Sequence, residues 1–277
     1  ARKLLVLFGG IEQSGKFLND VWEWNGSRWE KRIAQTAPKE RAASAVAYDA
    51  HRKRLVLFGG QDDKGALADT WEWNGNVWTK IETKTAPPAR VAHALVYDSK
   101  NRRLLLFGGT DFAVQKTYQD LWAWDGKNWT EIKTANAPEG RFHHAMTFDS
   151  ARNRVILFGG NDAVPPLDSD KFKAGQRNDT WEFDGKNWQK IETPMSPAKR
   201  DHHGMAYDAA ARQTILFGGF SGGFADGVYL GDTWIWNGKN WSEARLENSP
   251  EKRGGKPAMI FDSAGKTIYL FGGGTSQ

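Results

Sequence analysis

The sequence predicts an all-β fold, a β-propeller built from four-stranded antiparallel blades, on three observations. A block of the type Leu-Val-Leu-Phe-Gly-Gly occurs six times along the chain. An aromatic-rich hairpin pattern follows each of the first five blocks, and the 277 residues include 14 tryptophans. Such repeats are typical of radial architectures, in which large aromatic side chains fill the gaps between sheets. The first glycines of the blocks recur every 49 to 59 residues, at Gly9, Gly59, Gly108, Gly159, Gly218 and Gly272.

Strand B of each unit is the apolar run that ends in the glycine pair. In the second unit this run covers 54–60, Arg-Leu-Val-Leu-Phe-Gly-Gly. A continuous apolar run of this length predicts a strand that is buried on both faces, and Gly59 and Gly60 permit a sharp, close-packed exit from it. We therefore expect the glycine pair to have a structural role.

Strands C and D form the hairpin that follows. Period-two alternation places Trp71 and Trp73 on one face of strand C. The pair Asn74-Gly75 predicts a turn, because both residue types tolerate positive φ, and Trp78 begins strand D, which is expected to end at residue 81. The equivalent pairs in the other units are Asn25-Gly26, Asp125-Gly126, Asp184-Gly185 and Asn237-Gly238.

Strand A, predicted over 91–97 in this part of the chain, follows a proline-containing loop and Arg90. A small residue stands four positions after the loop arginine in most units, which suits an innermost strand where neighbouring blades crowd together. These positions are Ala45, Ala94, Ala145 and Gly204, with Pro257 as the exception. The polar residues that follow strand A are typical of a type I turn leading into the next strand B.

The bulk composition bounds the class of protein. One closed array favours a single domain over 1–277, with five complete B-C-D-A units and a sixth strand B. The absence of cysteine excludes disulfides and thiolate chemistry, and no apolar run is long enough for a transmembrane helix. The chain starts with alanine and has no signal-peptide pattern, so the sequence leaves the compartment open.

The glycine-pair blocks, the spaced aromatic residues of strands C and D, and the arginine before strand A together resemble the kelch repeat. The resemblance covers essentially the whole chain. It implies a kelch-type β-propeller, similar to the central propeller of galactose oxidase, in a family that contains protein-binding modules, sugar-processing enzymes and a copper oxidase. The copper site of that oxidase needs a cysteine cross-linked to tyrosine, so the absence of cysteine excludes that branch.

The sequence determines the number of blades less directly than it determines the fold class. The sequence favours six blades and also admits five, because five complete units are followed by one additional strand B. Six blades require a further strand A before residue 1 and a further C-D hairpin after residue 277. An incomplete blade therefore suggests a piece of a longer chain, or self-association through an unpaired strand.

Polar and aromatic residues that recur in every unit are expected to be structural. The tryptophans, including Trp71, Trp73 and Trp78, are predicted to form the core between blades. An aspartate two positions before the first tryptophan of strand C, such as Asp69, could present a carboxylate to a cation. Its recurrence favours a hydrogen bond to backbone N–H groups or an ion pair with a loop arginine such as Arg90.

The histidines are distributed unevenly and mark the candidate site. Three that share one register, His93, His144 and His203, are interpreted as hydrogen-bonded structural histidines. His143 and His202 lie one position earlier, where other units have alanine or glycine. In kelch domains that bind ligands, these positions and those after the glycine pairs line the rim of the central cavity.

By that resemblance, His143 and His202 are the first-choice ligand-binding residues, and the residues after the glycine pairs accompany them: Thr110, Asp111, Asn161 and Asp162. A metal bound by two histidines and an aspartate is conceivable, but no ligand spacing enforces it, so neither a metal nor a cofactor is expected.

The loops between strands B and C vary most in length. The long ones are 161–178, which contains Pro165-Pro166 and Phe172, and 220–231, which contains Phe220, Phe224 and Tyr229. Exposed aromatic residues there would anchor a partner, and the alternative is that these loops fold over the channel mouth.

Hairpin geometry places the A-B and C-D turns on one face of the propeller and the B-C and D-A loops on the other, so the two faces can differ in charge. The A-B and C-D turns share one face, which collects basic residues such as Arg52, Lys53, Arg54 and Lys186, while the B-C loops are comparatively acidic. The basic turn face could contact an anionic polymer, although such charge more often serves solubility.

The sequence therefore favours a non-catalytic binding scaffold that presents its B-C and D-A loops to a protein or carbohydrate. One alternative is a sugar-processing enzyme of the mutarotase or epimerase type, with His143 or His202 as acid or base. A third is a structural repeat module of a larger secreted bacterial protein.

Overall fold

A computed structural model describes residues 4–275, and within them it contains 27 strands and one short helix. Blade 1 has three strands, β1 (Leu5–Ile11), β2 (Phe17–Trp24) and β3 (Trp29–Arg32), in the order B-C-D. Blade 2 contains strands A and B, β4 (Ala45–Asp49) and β5 (Arg54–Phe58), a loop pair, β6 (Gln61–Asp62) and β7 (Gly65–Ala66), and strands C and D, β8 (Thr70–Trp73) and β9 (Trp78–Ile81).

Blades 3 to 5 repeat this order with different B-C loops. Blade 3 contains β10 (Ala94–Asp98), β11 (Arg103–Phe107), the loop pair β12 (Thr110–Asp111) and β13 (Lys116–Thr117), β14 (Leu121–Trp124) and β15 (Trp129–Ile132). Blade 4 contains β16 (Ala145–Asp149), β17 (Arg154–Phe158), the helix α1 (Ser169–Gly175), β18 (Thr180–Phe183) and β19 (Trp188–Ile191). Blade 5 contains β20 (Gly204–Asp208), β21 (Gln213–Ser221), β22 (Val228–Trp236) and β23 (Trp241–Ala244).

The remaining strands occupy a sixth position around the axis. They are β24 (Arg253–Gly254), β25 (Ala258–Asp262), β26 (Thr267–Phe271) and β27 (Gly274–Thr275), in the pairs β25-β26 and β24-β27. Strand β25 contacts β20, as the A strands of neighbouring blades contact one another elsewhere. The A strands therefore line the axis, as the sequence predicts for the innermost strand.

Strand B is buried on both faces. Leu104, Leu105, Leu106 and Phe107 of β11 are all fully buried, which explains the continuous apolar run. The glycine pair after strand B has positive φ, 59° at Gly59 and 92° at Gly60. A Cβ atom on Gly59 would lie 2.8 Å from the carbonyl oxygen of Arg90, so glycine is required by close approach as well as by φ.

Neighbouring blades are joined by one repeated aromatic contact. The phenylalanine that ends strand B packs against the tryptophan that begins strand D of the following blade, with ring centroids 5.0 to 5.4 Å apart. The pairs are Phe8–Trp78, Phe58–Trp129, Phe107–Trp188 and Phe158–Trp241. Each of these tryptophans is buried, in agreement with the prediction of an aromatic core between blades.

The same contact closes the ring. Phe271 of β26 packs against Trp29 of blade 1 with a centroid distance of 5.0 Å. The predicted β-propeller is therefore confirmed, with five blades of three or four strands. The favoured number of six blades is not reached, because the described residues provide only strands A and B at the sixth position.

The C-D turns differ in detail from the prediction. Gly75 has φ 101°, but Asn74 is not among the residues with positive φ. The Asn74 side chain instead accepts hydrogen bonds from the backbone N–H groups of Asn76 and Val77, at 2.9 Å each. The turn pair is therefore correct, but asparagine acts through its side-chain oxygen.

Candidate functional site

The recurring aspartates and arginines form buried ion pairs. Arg90 donates two hydrogen bonds to the Asp120 carboxylate, at 2.6 and 2.7 Å, and a third to the carbonyl of Gly108 at 2.9 Å. Trp122 donates to the same carboxylate at 2.7 Å. The other pairs with this geometry are Arg41–Asp69, Arg141–Asp179 and Arg200–Asp232. These aspartates therefore fix loops and are not free to bind a cation.

The arginine–aspartate pair is not repeated at the sixth position or in blade 1 within the described residues. Arg253 donates to the carbonyls of Glu251 and Gly272, and it has no carboxylate partner within residues 4–275. Asp20 of blade 1 accepts from Trp22 at 2.8 Å and lies 3.4 Å from the Lys31 ammonium, and no arginine among the described residues contacts it. Both residues belong to blade positions for which residues 4–275 provide fewer than four blade strands.

The segments before strand A form a chain of hydrogen bonds around the axis. The backbone N–H of Ala92 donates to the carbonyl of Ala43, His143 to Ala92, and His202 to His143, at 2.9 to 3.0 Å. All four residues have φ between 53° and 56°. This unusual conformation turns each strand start toward the channel and brings equivalent residues of successive blades together.

His143 and His202 are stacked in the channel. Their ring centroids are 3.5 Å apart and the ring planes differ by 26°. Burial lowers the pKa of His143 well below its usual value, and the nearby His202 and Lys256 add to this effect. The structure therefore brings together the two histidines that the sequence places first, with His143 neutral.

A buried carboxylate that the sequence analysis did not select holds this pair. Asp201 is fully buried, and its carboxylate lies 2.5 Å from Nδ1 of His202. It also accepts hydrogen bonds from Gln176 at 2.9 Å and from Asn161 at 3.3 Å. No local sequence rule identifies Asp201, because two of its three partners, Asn161 and Gln176, come from the B-C loop of blade 4.

The long loop of blade 4 covers the channel mouth. Helix α1 starts at the N-cap Asp168, whose side chain accepts from Lys171 N, and it places Phe172 over the channel. Phe172 is buried in a cluster with Val91, Ala92 and Phe142. Phe172 therefore packs against the segments before strand A of blades 3 and 4 and is not an exposed anchor.

The long loop of blade 5 is partly regular structure. Strands β21 and β22 continue past the glycine pair, with Phe220 opposite Tyr229 and ring centroids 5.7 Å apart. Phe220 and Tyr229 are half-buried, while Phe224 is exposed and packs its ring 4.8 Å from Phe172. The predicted loop 220–231 is therefore a hairpin with a short tip.

The other selected residues have local partners. Thr110 is buried and donates to the carbonyl of Lys116 at 3.0 Å, and the Asp111 carboxylate accepts from Ala113 N at 2.9 Å. Asp162 pairs with Arg177, although burial still raises the pKa of its carboxyl group. These three residues lie on the loop face, which is the face that carries the B-C and D-A loops. Within residues 4–275 none of their side chains forms a hydrogen bond with His143 or His202.

The loop face exposes several apolar side chains. Phe112, Val114, Val164, Phe224 and Val228 come from the B-C loops of blades 3 to 5 and are each 48 to 63% exposed. The B-C loops of blades 4 and 5 also carry the ion pairs Arg177–Asp162 and Lys173–Asp226. This rim combines apolar anchors with charged residues, as protein-binding surfaces do.

A groove of about 500 Å³ lies beside β1, where the described residues provide no strand A for blade 1. Its walls include Val6 of β1, Val46 and Tyr48 of β4, and Ile260 of β25. Val46 and Tyr48 are 38% and 46% exposed, although the equivalent strand A residues of blade 5, Met205 and Tyr207, are buried. The inner edge of β1 has no strand partner within residues 4–275.

The turn face is basic, but part of its charge is neutralised locally. Arg52 pairs with Asp49 at 2.8 Å and with Glu72 at 2.5 Å, and Arg152 repeats this arrangement with Asp149 and Glu182 at 2.7 Å each. Arg103 likewise pairs with Asp98. Contact with an anionic polymer stays a prediction.

Within the part of the chain that the structure describes, no group of three or more histidine, aspartate or glutamate side chains is placed to hold a metal ion. In the same residues, no helix is both long and apolar enough to cross a lipid bilayer.

Comparison with known proteins agrees with this architecture. The model of a family described as the KLHDC2/KLHL20/DRC7 Kelch-repeats domain matches residues 1–133 and 73–273. A tRNA wybutosine-synthesizing protein 4 from Aspergillus fumigatus is 28% identical over 138 residues, which are 47% of this chain and 12% of that relative. Because the matched residues span almost the whole chain, the resemblance is confirmed and the chain belongs to the kelch-repeat family of β-propellers.

Proposed function

We propose that this propeller is a non-catalytic scaffold that binds a protein partner through its loop face. Kelch propellers typically bind proteins, and five apolar side chains from three neighbouring blades are exposed on this face. Desolvating such side chains on association is favourable, and exposed apolar groups of this kind are typical of interaction surfaces. The exposed apolar rim is the observation that carries the proposal.

The cover over the channel supports binding over catalysis. Acid or base chemistry at His143 or His202 needs access for a sugar, but the ring of Phe142 packs 5.3 Å from that of His143 and belongs to the same buried cluster as Phe172. The Asp201 carboxylate is occupied by three hydrogen-bond partners. These features describe a fixed mouth that supports a binding rim.

The exposed residues fit a protein better than a carbohydrate. Carbohydrate recognition uses flat aromatic faces beside polar groups, whereas Val114, Val164 and Val228 are aliphatic. The alternating charges of Arg177, Asp162, Lys173 and Asp226 suit a polar rim around an apolar centre.

Proximity labelling and pull-down with purified protein test this proposal. The double variant Val114→Asp/Phe224→Asp should lose most partner capture while its unfolding midpoint stays within about 2 °C, because both side chains are exposed. The matched control Lys127→Asp/Lys239→Asp changes two exposed residues of the turn face and should retain capture. Equal loss in both variants, or binding of a glycan array in place of proteins, would contradict the proposal.

A second interaction surface is the groove beside β1. An unpaired strand edge with exposed apolar neighbours accepts another extended strand readily. The groove favours self-association of this chain through the inner edge of β1.

A further inference from the structure

Lys256 extends across the central channel. Its backbone N–H donates to the carbonyl of His202 in blade 5, at 2.9 Å. Its ammonium donates to the carbonyl of His93 in blade 3, also at 2.9 Å. Because Lys256 belongs to the sixth position, its side chain spans from one side of the ring to the opposite side.

This ammonium lacks a counter-charge. Burial alone lowers the pKa of Lys256 to about 8, so the group still carries its charge at neutral pH in most molecules. Within residues 4–275, no carboxylate lies in salt-bridge contact with it, and the buried Asp201 pairs with His202. A poorly hydrated charge without a partner is unfavourable, so a compensating anion would be stabilising.

The imidazoles around Lys256 are neutral and offer further donors. Burial, followed by the charge of Lys256 or of other neighbours, lowers the pKa of His93, His143, His144 and His203. Neither ring nitrogen of His144, nor Nδ1 of His143, has a hydrogen-bond partner among the described groups. His93 and His203 each approach a strand B carbonyl, of Phe58 and Phe158, in a geometry outside the usual hydrogen-bond limits.

Part of the side-chain lining around Lys256 is open to solvent. Asp201 and Phe172 are buried at the channel mouth, yet the His202 side chain is 23% exposed and His143 and Lys256 are partly exposed. These surfaces face space that solvent can enter.

We propose that the channel binds one small monovalent anion of the halide class, held by the Lys256 ammonium and by the imidazole N–H of His143. One ammonium matches one negative charge, and a divalent anion would leave uncompensated charge in a poorly solvated site. A metal cation is disfavoured because the protonated lysine repels it.

Crystals of the wild-type protein grown with sodium bromide in place of chloride provide the direct test. An anomalous bromide peak is expected within hydrogen-bond distance of Lys256 Nζ, and it should disappear in the Lys256→Met variant. Lys239→Met, on an exposed turn, is the matched control and should keep the peak. Only water at this position in the wild type, or a peak that persists in Lys256→Met, would overturn the proposal.

Solution measurements give a second readout. Replacing chloride by gluconate at constant ionic strength should lower the unfolding midpoint of the wild type and of Lys239→Met, but not that of Lys256→Met. Lys256→Arg keeps the charge and should keep bromide binding, with a loss of affinity of no more than about tenfold. If Lys256→Met does not fold, the wild-type crystals and Lys256→Arg still decide the outcome. The same response to gluconate in all variants would count against a channel site.

Discussion

The ring of Phe271 lies 5.0 Å from the ring of Trp29, so the last long strand of the described chain packs on the first blade. This contact is equivalent to the pair Phe158–Trp241 between blades 4 and 5. The difference is burial, because Phe158 is fully buried whereas Phe271 is 43% exposed.

Phe271→Ala should therefore destabilise the protein, but less than Phe158→Ala. Truncation of a fully buried phenylalanine costs about 3–5 kcal/mol, and the partly exposed site should cost roughly half of that. Urea unfolding followed by circular dichroism measures both variants. An unchanged free energy of unfolding in Phe271→Ala would show that this contact does not close the ring in solution.

The buried arginine and aspartate pairs predict loss of stability in acid. Burial raises the pKa of the Asp120 carboxyl group, but the hydrogen bonds and charge of Arg90 outweigh burial and leave the pKa below the ordinary 3.8. The pKa values of Asp69, Asp179 and Asp232 are lowered in the same way, because the paired arginine outweighs burial. A carboxyl group whose pKa is lower in the folded state stabilises the fold above pH 3.8, and this contribution is lost as the pH falls through the lowered value.

Asp120→Asn isolates one pair. It leaves the buried Arg90 without a counter-charge and should cost about 3–5 kcal/mol at neutral pH. The difference from wild type should shrink as the pH falls below 3.8 toward the lowered pKa of Asp120, because the wild-type carboxyl group then also becomes neutral. Urea titrations between pH 7 and pH 3 measure this, with Asp63→Asn in an exposed loop as the control. A difference that does not change with pH would contradict the electrostatic explanation.

Phe172 should control access to the histidine pair. Phe172→Ala removes the buried ring of α1 from the cluster with Val91 and Phe142, so solvent should reach His143 from the loop face. Modification by diethyl pyrocarbonate, followed by mass spectrometry, should become faster at His143 but not at the exposed His51. Phe224→Ala removes an exposed ring from the same loops and serves as the control. Equal reactivity of His143 in both variants would mean that Phe172 does not close the mouth.

Local patterns predict the strands well because strand pairing and turns depend on neighbouring residues. The predicted strand D, from Trp78 to residue 81, agrees with β9. The exit from strand B at Gly59 also needs only local information, since a left-handed backbone conformation favours glycine. The sequence also predicts the position of the turn at Asn74, although the turn is held by hydrogen bonds to the Asn74 side-chain oxygen.

The channel contents could not be predicted from local patterns. Lys256 and His93 are 163 positions apart in the sequence, and their contact exists only because the ring places them on opposite sides of the axis. Helix α1 has a readable N-cap in Asp168, but its seven residues are too few to be stable without the burial of Phe172. Recurrence alone also left open whether Asp69 binds Arg41 or a backbone group.

The inner edge of β1, which has no strand partner within residues 4–275, predicts concentration-dependent association. Val46 and Tyr48 are exposed beside this edge, so a strand from a second copy of the chain can pair with it and cover the apolar side chains. Sedimentation velocity over a wide range of protein concentration should therefore detect reversible oligomers.

Val46→Lys places a charge in the groove and should shift the protein to monomer, because burying an unpaired ammonium against Val6 and Ile260 is unfavourable. Val114→Lys, on the loop face, is the matched control and should associate like the wild type. If Val46→Lys still forms oligomers while Val114→Lys does not, association uses the loop face, and the edge of β1 is not the contact.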